Sequence, residues 1–421
     1  MMADYINFNF YYSIQFWLWF VAIVILFRIL SLNYYIRNIF LMVSSILMLL
    51  ALPRFNIGSL ILLLILTLVT FYTGYHLNGE KKRQTRYNIR ILSSSIICLV
   101  ILILLFFKYS IFQKIIYVRL FQEKFGPSDF IFIIGISYLS FKMLHFVVEG
   151  YKQQLSNISF INYLNYIFYF PSFISGPINR YNHFSEQLSG RNSVKNSNDL
   201  RVGFERIIHG FFKKFVICTL IYPYGFWGTE KSLLSLNLLE LVLGLYSTAF
   251  YFYLDFSAYS DIAIGSARIM GIELPENFNN PFYKKNLQQL WANWHISLTS
   301  WLTDYIYWPI SKKLRNVLYF KKHPIFLSNI SIIITFVICG MWHGDSFNFV
   351  VWGLYHGVGL AILNIYQKYK RKSRNNFLRR YYKSKYSETI GIIGTFHFFV
   401  FGLLFFAFEL DIIVQIVLKL F

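Results

Sequence analysis

The sequence has few charged residues for its length. Only 14% of its 421 residues are Asp, Glu, Lys or Arg, whereas an ordinary soluble domain carries about 25%. Hydrophobic residues make up 56%, and apolar windows long enough to cross about 30 Å of hydrocarbon recur along the chain. This balance excludes a soluble globular protein and predicts an all-α membrane protein. The windows lie at residues 13–31, 38–52, 57–76, 89–108, 130–148, 204–223, 233–254, 326–343, 347–366 and 388–408.

We expect about ten to twelve membrane-spanning helices, together with re-entrant or interfacial ones. The first apolar stretch is preceded by Asp4, has no Lys or Arg before it and lacks a small-residue cleavage site. A removable signal peptide is therefore not expected, and the N-terminus is expected outside the cell. Further apolar stretches are too polar or too short to be simple spans, around residues 110–122, 160–176, 255–271, 291–310 and 409–421.

Cysteine is scarce, and no linker divides the chain. Cys98, Cys218 and Cys339 are scattered in apolar context, which excludes a disulfide framework and gives no metal-ligand spacing, so no metal is expected. Without an internal repeat or a long Gly/Ser- or Pro-rich linker, the chain is predicted to be a single membrane domain. Its predicted parts are peripheral scaffold helices (1–109), a catalytic core (130–365), and a basic cytoplasmic loop with C-terminal helices (366–421).

Acidic residues are outnumbered, with 19 Asp and Glu against 40 Lys and Arg. The basic residues cluster in short loops between apolar windows, which is typical of cytoplasmic loops and excludes a nucleic-acid-binding surface as the main explanation. A basic cytoplasmic rim also favours encounter with an acidic soluble partner. The clusters hold Lys81, Lys82, Arg83, Arg86 and Arg90; Arg180, Arg191, Lys195 and Arg201; Lys312, Lys313, Arg315, Lys321 and Lys322; and nine Lys or Arg from Lys368 to Lys385.

Two histidines stand in stretches that otherwise suit a lipid bilayer. His295 follows Trp294, and His343 lies between Gly340 and Gly344. Placing a titratable side chain at membrane depth costs about 2.5–3.5 kcal/mol or more of free energy, so such a residue is expected to face a cavity and to have a function. The glycines allow close approach of a substrate or a bend in the helix. A lone histidine is more often a packing residue, which is how we interpret the remaining histidines, apart from His356 as a supporting residue.

The approach to His295 is polar at first and then amphipathic. A proline-containing loop leads into the stretch from Asn286 to His295, which predicts an amphipathic helix near the membrane face. On such a helix Trp291 and His295, four residues apart, share one face.

Two carboxylates occur in another apolar helix. Asp255 and Asp261 are six residues apart, so they cannot form a paired acid and base on one face. We expect one or both to accept hydrogen bonds from Ser, Tyr or Arg268, to hold the inner helices together and to line a cavity.

Two prolines and a glycine interrupt the stretch from Tyr169 to Phe184. A proline removes a backbone donor and disfavours helix in the preceding residue. The pattern predicts a re-entrant turn or a helix end at the cytoplasmic face, with Arg180 reaching the interface.

Four stretches and this turn resemble the membrane-bound O-acyltransferase (MBOAT) family. The resemblance covers residues 130–365, and His295 in place of Asn is similar to the bacterial polysaccharide-acylating branch. The turn is similar to that of D-alanyl-transferring members, except that Asn179 replaces the usual Asp before Arg180. The four stretches are Leu254-Asp-Phe-Ser-Ala-Tyr-Ser-Asp-Ile-Ala, Pro-Glu-Asn-Phe-Asn-Asn-Pro-Phe, Trp-His-Ile-Ser-Leu-Thr-Ser-Trp-Leu-Thr-Asp-Tyr-Ile-Tyr and Gly-Met-Trp-His-Gly.

The resemblance implies an acyltransferase built around a central tunnel. A buried, neutral imidazole that accepts a hydroxyl proton contributes about 10²–10⁴-fold to the rate, so His343 is expected to be the general base. His295 is expected to position the substrate or stabilise the oxyanion, with Asn293 or Trp294 nearby. Expected supporting or tunnel residues are Asn293, Trp294, Trp342, Asp255, Asp261, Ser257, Arg180 and His356.

The resemblance also implies substrates and partners. The donor is D-alanine on the phosphopantetheine thioester of an acidic cytoplasmic carrier protein, the acceptor is a teichoic acid hydroxyl outside, and no cofactor is bound. Lys284, Lys285, Lys312 and Lys313 are expected to dock the carrier, and a small single-span membrane protein is a further expected partner. The expected location is the plasma membrane of a Gram-positive bacterium. Alternatives are an O-acetyltransferase of a cell-wall or extracellular polysaccharide, similar to the alginate-acetylating members, and a transporter.

Overall fold

In the computed structural model the regular secondary structure of the described residues is helical. The described residues are 13–30, 33–52, 55–79, 86–121, 133–189, 197–226, 236–372 and 384–420. Within them the regular elements are helices, apart from one isolated antiparallel bridge between Phe278 and Trp294. This confirms the predicted all-α class. The N-terminal residues and the basic residues at 81–83, at 191 and 195 and in the segment 373–383 lie outside the described ranges.

Nineteen α-helices are described, with three short 3₁₀ segments and two π segments. The α-helices are α1 (Ile14–Ile29), α2 (Tyr34–Leu50), α3 (Ile57–Gly79), α4 (Arg86–Lys108), α5 (Ser110–Phe121), α6 (Ile136–Tyr151), α7 (Phe160–Phe168), α8 (Tyr181–Ser189), α9 (Ser197–Phe211), α10 (Cys218–Ile221), α11 (Leu238–Ile269), α12 (Leu287–Trp291), α13 (Ile296–Leu302), α14 (Trp308–Leu314), α15 (Leu318–Lys322), α16 (Pro324–His343), α17 (Phe347–Lys372), α18 (Lys385–Ala407) and α19 (Leu410–Leu420). The 3₁₀ segments are Phe170–Ser172, Tyr222–Tyr224 and Pro281–Tyr283, and the π segments are Phe212–Ile217 and Thr303–Tyr307.

Six of the described helices are long and apolar enough to cross a membrane, and α1 and α2 are shorter apolar helices. The number is below the expected ten to twelve because four of the ten predicted windows do not form such helices: the windows 13–31 and 38–52 form the shorter helices α1 and α2, and two others fold differently. The window 130–148 becomes the shorter helix α6, and the window 204–223 becomes α9, a π segment and α10 in succession. The six spans are Ile57–Gly79, Asn88–Lys108, Leu238–Ile269, Pro324–His343, Phe347–Lys370 and Lys385–Ala407.

The chain divides into two compact units. The first comprises residues 1–210 and 259–275. In it α3 and α4 pack on α6, and α2 packs on α7. A Cβ on Gly150 would lie 2.5 Å from the Gly74 carbonyl oxygen, so α3 and α6 approach backbone to backbone. The buried rings of Phe146, Tyr163 and Tyr181 fill the space beside this crossing, with centroids 4.1 Å and 4.9 Å from that of Phe146.

The second unit comprises residues 211–258 and 276–421 and contains both histidines singled out from the sequence. Its centre is the pair α16 and α17, against which α18 and α12 pack. Pro324 begins α16, where its fixed φ suits the first turn and its missing N–H costs nothing. The helix ends at His343 because Gly344 is extended. The predicted single domain and its division near residues 109 and 130 stay predictions.

Candidate functional site

His343 lies at the end of a helix. It is the last residue of α16, and its side chain is half-buried. Its ring packs edge-on against Trp352 at 5.2 Å and Phe406 at 5.0 Å, and beside Trp342 at 4.8 Å. The expected burial of His343 is therefore met only in part, because the helix ends there and the side chain is half-buried.

The glycines beside His343 serve helix packing. A Cβ on Gly340 would lie 2.1 Å from the Phe349 carbonyl oxygen, and a Cβ on Gly344 would lie 2.1 Å from the Phe349 ring. Gly353 repeats the pattern, with the Phe336 carbonyl oxygen at 2.3 Å. Next to these glycines, where the sequence allows a substrate or a bend, lies α17, and its close approach fixes where α16 delivers His343.

His295 is held in an unusual backbone conformation. Its φ of 43° and ψ of 53° are left-handed, which is uncommon for residues other than glycine. The bridge between Phe278 and Trp294 and the bond from the Ile296 N–H to the Asn277 carbonyl (2.9 Å) fix the backbone on both sides. The Ser297 hydroxyl donates to Asn277 Oδ1 at 2.6 Å. Such strain costs about 1–3 kcal/mol and persists where the surroundings determine it.

The side chain of His295 is buried and packs edge-on against the Phe256 ring at 4.7 Å. Burial lowers the pKa of His295 from 6.5 to about 3. Its imidazole is therefore neutral at pH 7 and offers one hydrogen-bond donor and one acceptor.

The predicted amphipathic helix leading to His295 is much shorter than expected. Helix α12 ends at Trp291, and His295 follows in the left-handed turn. Trp291 and His295 therefore do not share a helix face. Instead, the Trp291 ring packs against His356 at 4.9 Å, and His295 packs against Phe256. Periodicity failed here because the bridge to residue 278 competes with helix continuation.

The two other residues expected near the oxyanion have defined contacts. The Asn293 side-chain amide donates to the Gln289 carbonyl at 2.8 Å, at the end of α12. The Trp294 ring lies among aromatic rings, with Phe399 at 4.5 Å and Phe278 at 5.2 Å.

Asp255 and Ser257 bind two lysines that the sequence did not single out. Lys214 Nζ donates to Asp255 Oδ1 at 2.6 Å, and Lys213 Nζ donates to the Ser257 hydroxyl at 2.7 Å. Both lysines lie in the π segment Phe212–Ile217. A π turn is rare and is frequent at functional sites. Apolar surroundings in 204–223 gave no sign that its lysines would pair with α11.

Asp261 pairs with a different cation from the one expected. Arg206 Nε lies 3.1 Å from Asp261 Oδ1, within the first unit. Arg268, the predicted donor, instead pairs with Asp199 at 2.7 Å and with Glu273. The prediction that these carboxylates hold helices together by hydrogen bonds is consistent with both pairs, but Arg268 was the wrong partner.

The interrupted stretch after α7 turns through a 3₁₀ segment and ends at α8, in the first unit. Arg180 is half-buried, and its backbone N–H donates to Asn179 Oδ1 at 2.8 Å. The Tyr181 N–H donates to His145 Nε2 at 3.0 Å. Lys142 is buried and donates to the Tyr166 carbonyl at 3.0 Å, which helps satisfy the end of α7. The sequence gave no signal for Lys142, which stands inside an apolar window.

The lysines expected to dock a carrier differ in solvent exposure and in ion pairing. Lys312 and Lys313 are exposed in the last turn of α14. Lys284 is half-buried, and Lys285 pairs with Glu388 at 2.7 Å.

The described ring contacts of His295 and His343 are with different aromatic residues. The ring of Trp352 touches both His343 and His356, at 5.2 Å and 5.0 Å, so these two share a neighbour. His295 is described beside Phe256. The predicted joint site of His295 and His343, and the predicted tunnel, stay predictions.

A family model and curated relatives match this chain. The model of the membrane-bound O-acyltransferase family matches residues 47–407. The teichoic acid D-alanyltransferase of Bacillus subtilis is 32% identical over 295 residues, which cover 67% of this chain and 70% of that protein. The teichoic acid D-alanyltransferase of Streptococcus thermophilus is 28% identical over 289 residues, which cover 65% and 67%.

An acetyltransferase is also similar. The peptidoglycan O-acetyltransferase of Helicobacter pylori is 27% identical over 294 residues, which cover 63% of this chain. The match spans about half of that relative's length, 54%.

Proposed function

Because the chain belongs to the membrane-bound O-acyltransferase family and is therefore an acyltransferase of a multi-pass membrane type, we propose that it transfers D-alanine to teichoic acid. The proposed donor is a phosphopantetheine thioester on an acidic cytoplasmic carrier protein, and the acceptor is a hydroxyl group on the outer face of the membrane. The observation that carries the choice of acyl group is the similarity to two teichoic acid D-alanyltransferases.

The basic ends of three helices support the proposed orientation. Helix α16 begins after Lys321 and Lys322, α17 ends in a basic stretch at Lys368 and Lys370, and α18 begins at Lys385. Under the positive-inside rule these ends are cytoplasmic. His343 lies at the opposite end of α16, about 30 Å away for 20 residues. An acceptor outside the cell therefore has a short path to His343.

We assign His343 as the general base. Its nitrogen accepts the proton of the acceptor hydroxyl while the oxygen attacks the thioester carbonyl. The tetrahedral intermediate then expels the thiolate, which takes the proton from the imidazolium, so an ester and a free thiol result. The half-buried position of His343 at the end of its helix supports contact with a substrate.

We assign His295 to positioning or to oxyanion stabilisation. A neutral imidazole fixed by its strained backbone and by Phe256 is a preorganised donor, and preorganised donors are effective in a dry site. Asn293 is a weaker candidate because its amide already donates to the Gln289 carbonyl.

The acidic carrier is proposed to dock on the exposed lysines Lys312 and Lys313, with the half-buried Lys284 as a further candidate. Lys285 is a weaker candidate because Glu388 already neutralises it. The carrier supplies the phosphopantetheine arm, so the proposal needs no resident cofactor. A small single-span membrane protein remains a proposed partner.

The second candidate is an O-acetyltransferase of a cell-wall or extracellular polysaccharide. The similarity to a peptidoglycan O-acetyltransferase favours it. The same base and the same attack on a thioester or other activated acetyl group serve both reactions, so the transferred acyl group is the feature that the test below measures.

The test is reconstitution of the purified protein in liposomes. Loaded carrier is supplied on the basic side and teichoic acid on the other, and the product is released by mild alkali and identified by mass spectrometry. Ester-linked D-alanine supports the proposal. Acetate transferred from an acetyl donor, with no D-alanine, would replace it by the second candidate.

A further inference from the structure

Three adjacent side chains in the second unit hold four buried nitrogens without hydrogen bonds. The ring of His356 packs against Trp291 at 4.9 Å and Trp352 at 5.0 Å, and the two indoles lie 5.7 Å apart. Their side chains are 0%, 7% and 3% exposed. Neither nitrogen of His356 and neither indole N–H has a hydrogen-bond partner among the described residues.

Such a group needs an explanation, because buried polar atoms are normally paired. An unpaired buried donor has lost its hydrogen bonds to water and gained none in the protein. Contact of an N–H with a ring face recovers only a small part of a conventional hydrogen bond. Unpaired nitrogens on three adjacent side chains therefore indicate a place where a ligand supplies the partners.

The chemistry of the nitrogens defines that ligand. Each indole is a donor only, and a neutral imidazole adds one donor and one acceptor. Of the two imidazole nitrogens, Nε2 faces Gly402, where a Cβ would lie 2.5 Å from it. The three side chains thus offer mainly N–H donors, which suit carbonyl oxygens. None of the three is a Lys or Arg, the cationic residues that typically bind phosphate.

The position of the group relates it to the donor. Helix α17 begins at Phe347, near His343, and ends in the basic stretch at Lys372. His356 lies about 14 Å along the helix axis from Phe347. Trp291 is the last residue of α12. This helix begins two residues after Lys285, which pairs with Glu388 in the first turn of α18. Trp352 touches His343. Along α17 the group therefore lies between the basic end and His343.

We propose that Trp291, Trp352 and His356 bind the amide and thioester carbonyl groups of the acyl donor's arm on the cytoplasmic side of His343. The proposal rests on the proposed function, since it takes the donor to be a thioester on a long amide-containing arm. It does not depend on whether the acyl group is D-alanyl or acetyl.

The first test compares donors with and without amides. The purified full-length protein is given the D-alanyl and acetyl thioesters of pantetheine, and the same acyl groups on an alkanethiol that carries no amide. Trp291→Phe and Trp352→Phe keep an aromatic ring but remove the N–H. Each is expected to lower the preference for pantetheine by about 3- to 10-fold. Trp308→Phe is the matched control, because Trp308 is exposed, and should leave the preference unchanged.

A purely structural role predicts a different result. Loss of packing lowers the rate with both donor types equally, so an unchanged preference in Trp291→Phe and Trp352→Phe would overturn the proposal.

A second test needs no acyl transfer. Binding of the radiolabelled S-methyl thioether of pantetheine is measured by equilibrium dialysis in micelles. Binding to the unmodified protein that weakens about 3- to 10-fold in either variant supports the site even if D-alanine is never transferred. Equal binding by the unmodified protein and both variants would contradict the site, whatever the outcome of the transfer assay.

Discussion

Lys214 Nζ lies 2.6 Å from Asp255 Oδ1, and the two side chains are only 19% and 3% exposed. This pair joins the π segment Phe212–Ile217 to α11 inside the second unit. Desolvation makes such a pair a weak source of net stability, but removal of one partner leaves the other charge buried and alone.

Lys214→Met is therefore expected to destabilise the protein by about 3–5 kcal/mol, and the double variant with Asp255→Leu by less. Thermal unfolding in micelles measures both. Lys152→Met is the control, because the exposed Lys152–Glu149 pair contributes only about 0–1 kcal/mol. Equal loss in the single and double Lys214 variants would argue against the pair.

The crossing of α16 and α17 gives a second prediction. Gly340→Ala places a Cβ 2.1 Å from the Phe349 carbonyl oxygen, so the helices must separate, at a cost of about 1–3 kcal/mol. Because His343 lies three residues further on, acyl transfer is expected to fall with stability. The measurements are thermal unfolding and initial rate.

Gly394→Ala is the matched control, since nothing lies within 4 Å of a Cβ there and the residue stands within α18. That substitution should be neutral or stabilise by about 0.5–1 kcal/mol. Full activity and stability in Gly340→Ala would show that the close approach does not position His343.

The long helices could be predicted from hydropathy. The windows 57–76 and 347–366 became Ile57–Gly79 and Phe347–Lys372, because a span needs an unbroken apolar run of about 20 residues. The roles of Gly340 and Gly344 could not be predicted, since a glycine suits a bend, a substrate or a neighbouring helix equally well.

Parts of the site depend on contacts between distant segments. The left-handed turn at His295 follows from bonds to Asn277, and the partners of Asp255 and Asp261 lie on the helical region 197–221. Periodicity reports which face of a helix is apolar but not which helix covers it. The sequence therefore drew attention to His295 and Asp255 but left Lys214 and Arg206 unnoticed.

A third prediction concerns pH. Folding lowers the pKa of His295 from 6.5 to about 3, so the unfolded chain binds this proton more readily between those values. Stability contributed by the neutral form is complete above pH 6.5 and decreases as the pH falls toward 3. At pH 5 the expected loss in the free energy of unfolding is about 2 kcal/mol, because pH 5 lies 1.5 units below 6.5 and each unit corresponds to about 1.4 kcal/mol.

His295→Asn removes the titrating group and tolerates the left-handed conformation. Thermal unfolding at pH 7.5 and pH 5.0 should show a smaller acid loss in this variant than in the unmodified protein. Identical losses would mean that His295 is not buried in its neutral form.

A fourth prediction concerns the carrier. Reversal of Lys312 and Lys313 to Glu should raise KM for the carrier-bound donor, more strongly at low ionic strength, because exposed charges act through a screened field. The rate with a carrier-free pantetheine thioester should stay unchanged. A KM for the carrier that is unaffected at low salt would exclude docking on these lysines.

The assignment of His343 as general base is tested most directly by the kcat of His343→Gln for D-alanine transfer in liposomes. Glutamine is similar in size but cannot take the hydroxyl proton at neutral pH, so kcat is expected to fall by about 10²–10⁴-fold. Thermal unfolding verifies that the variant is folded and inserted. A folded, inserted His343→Gln protein that retains kcat within about tenfold of the unmodified enzyme, below the range for a general base, would contradict the assignment.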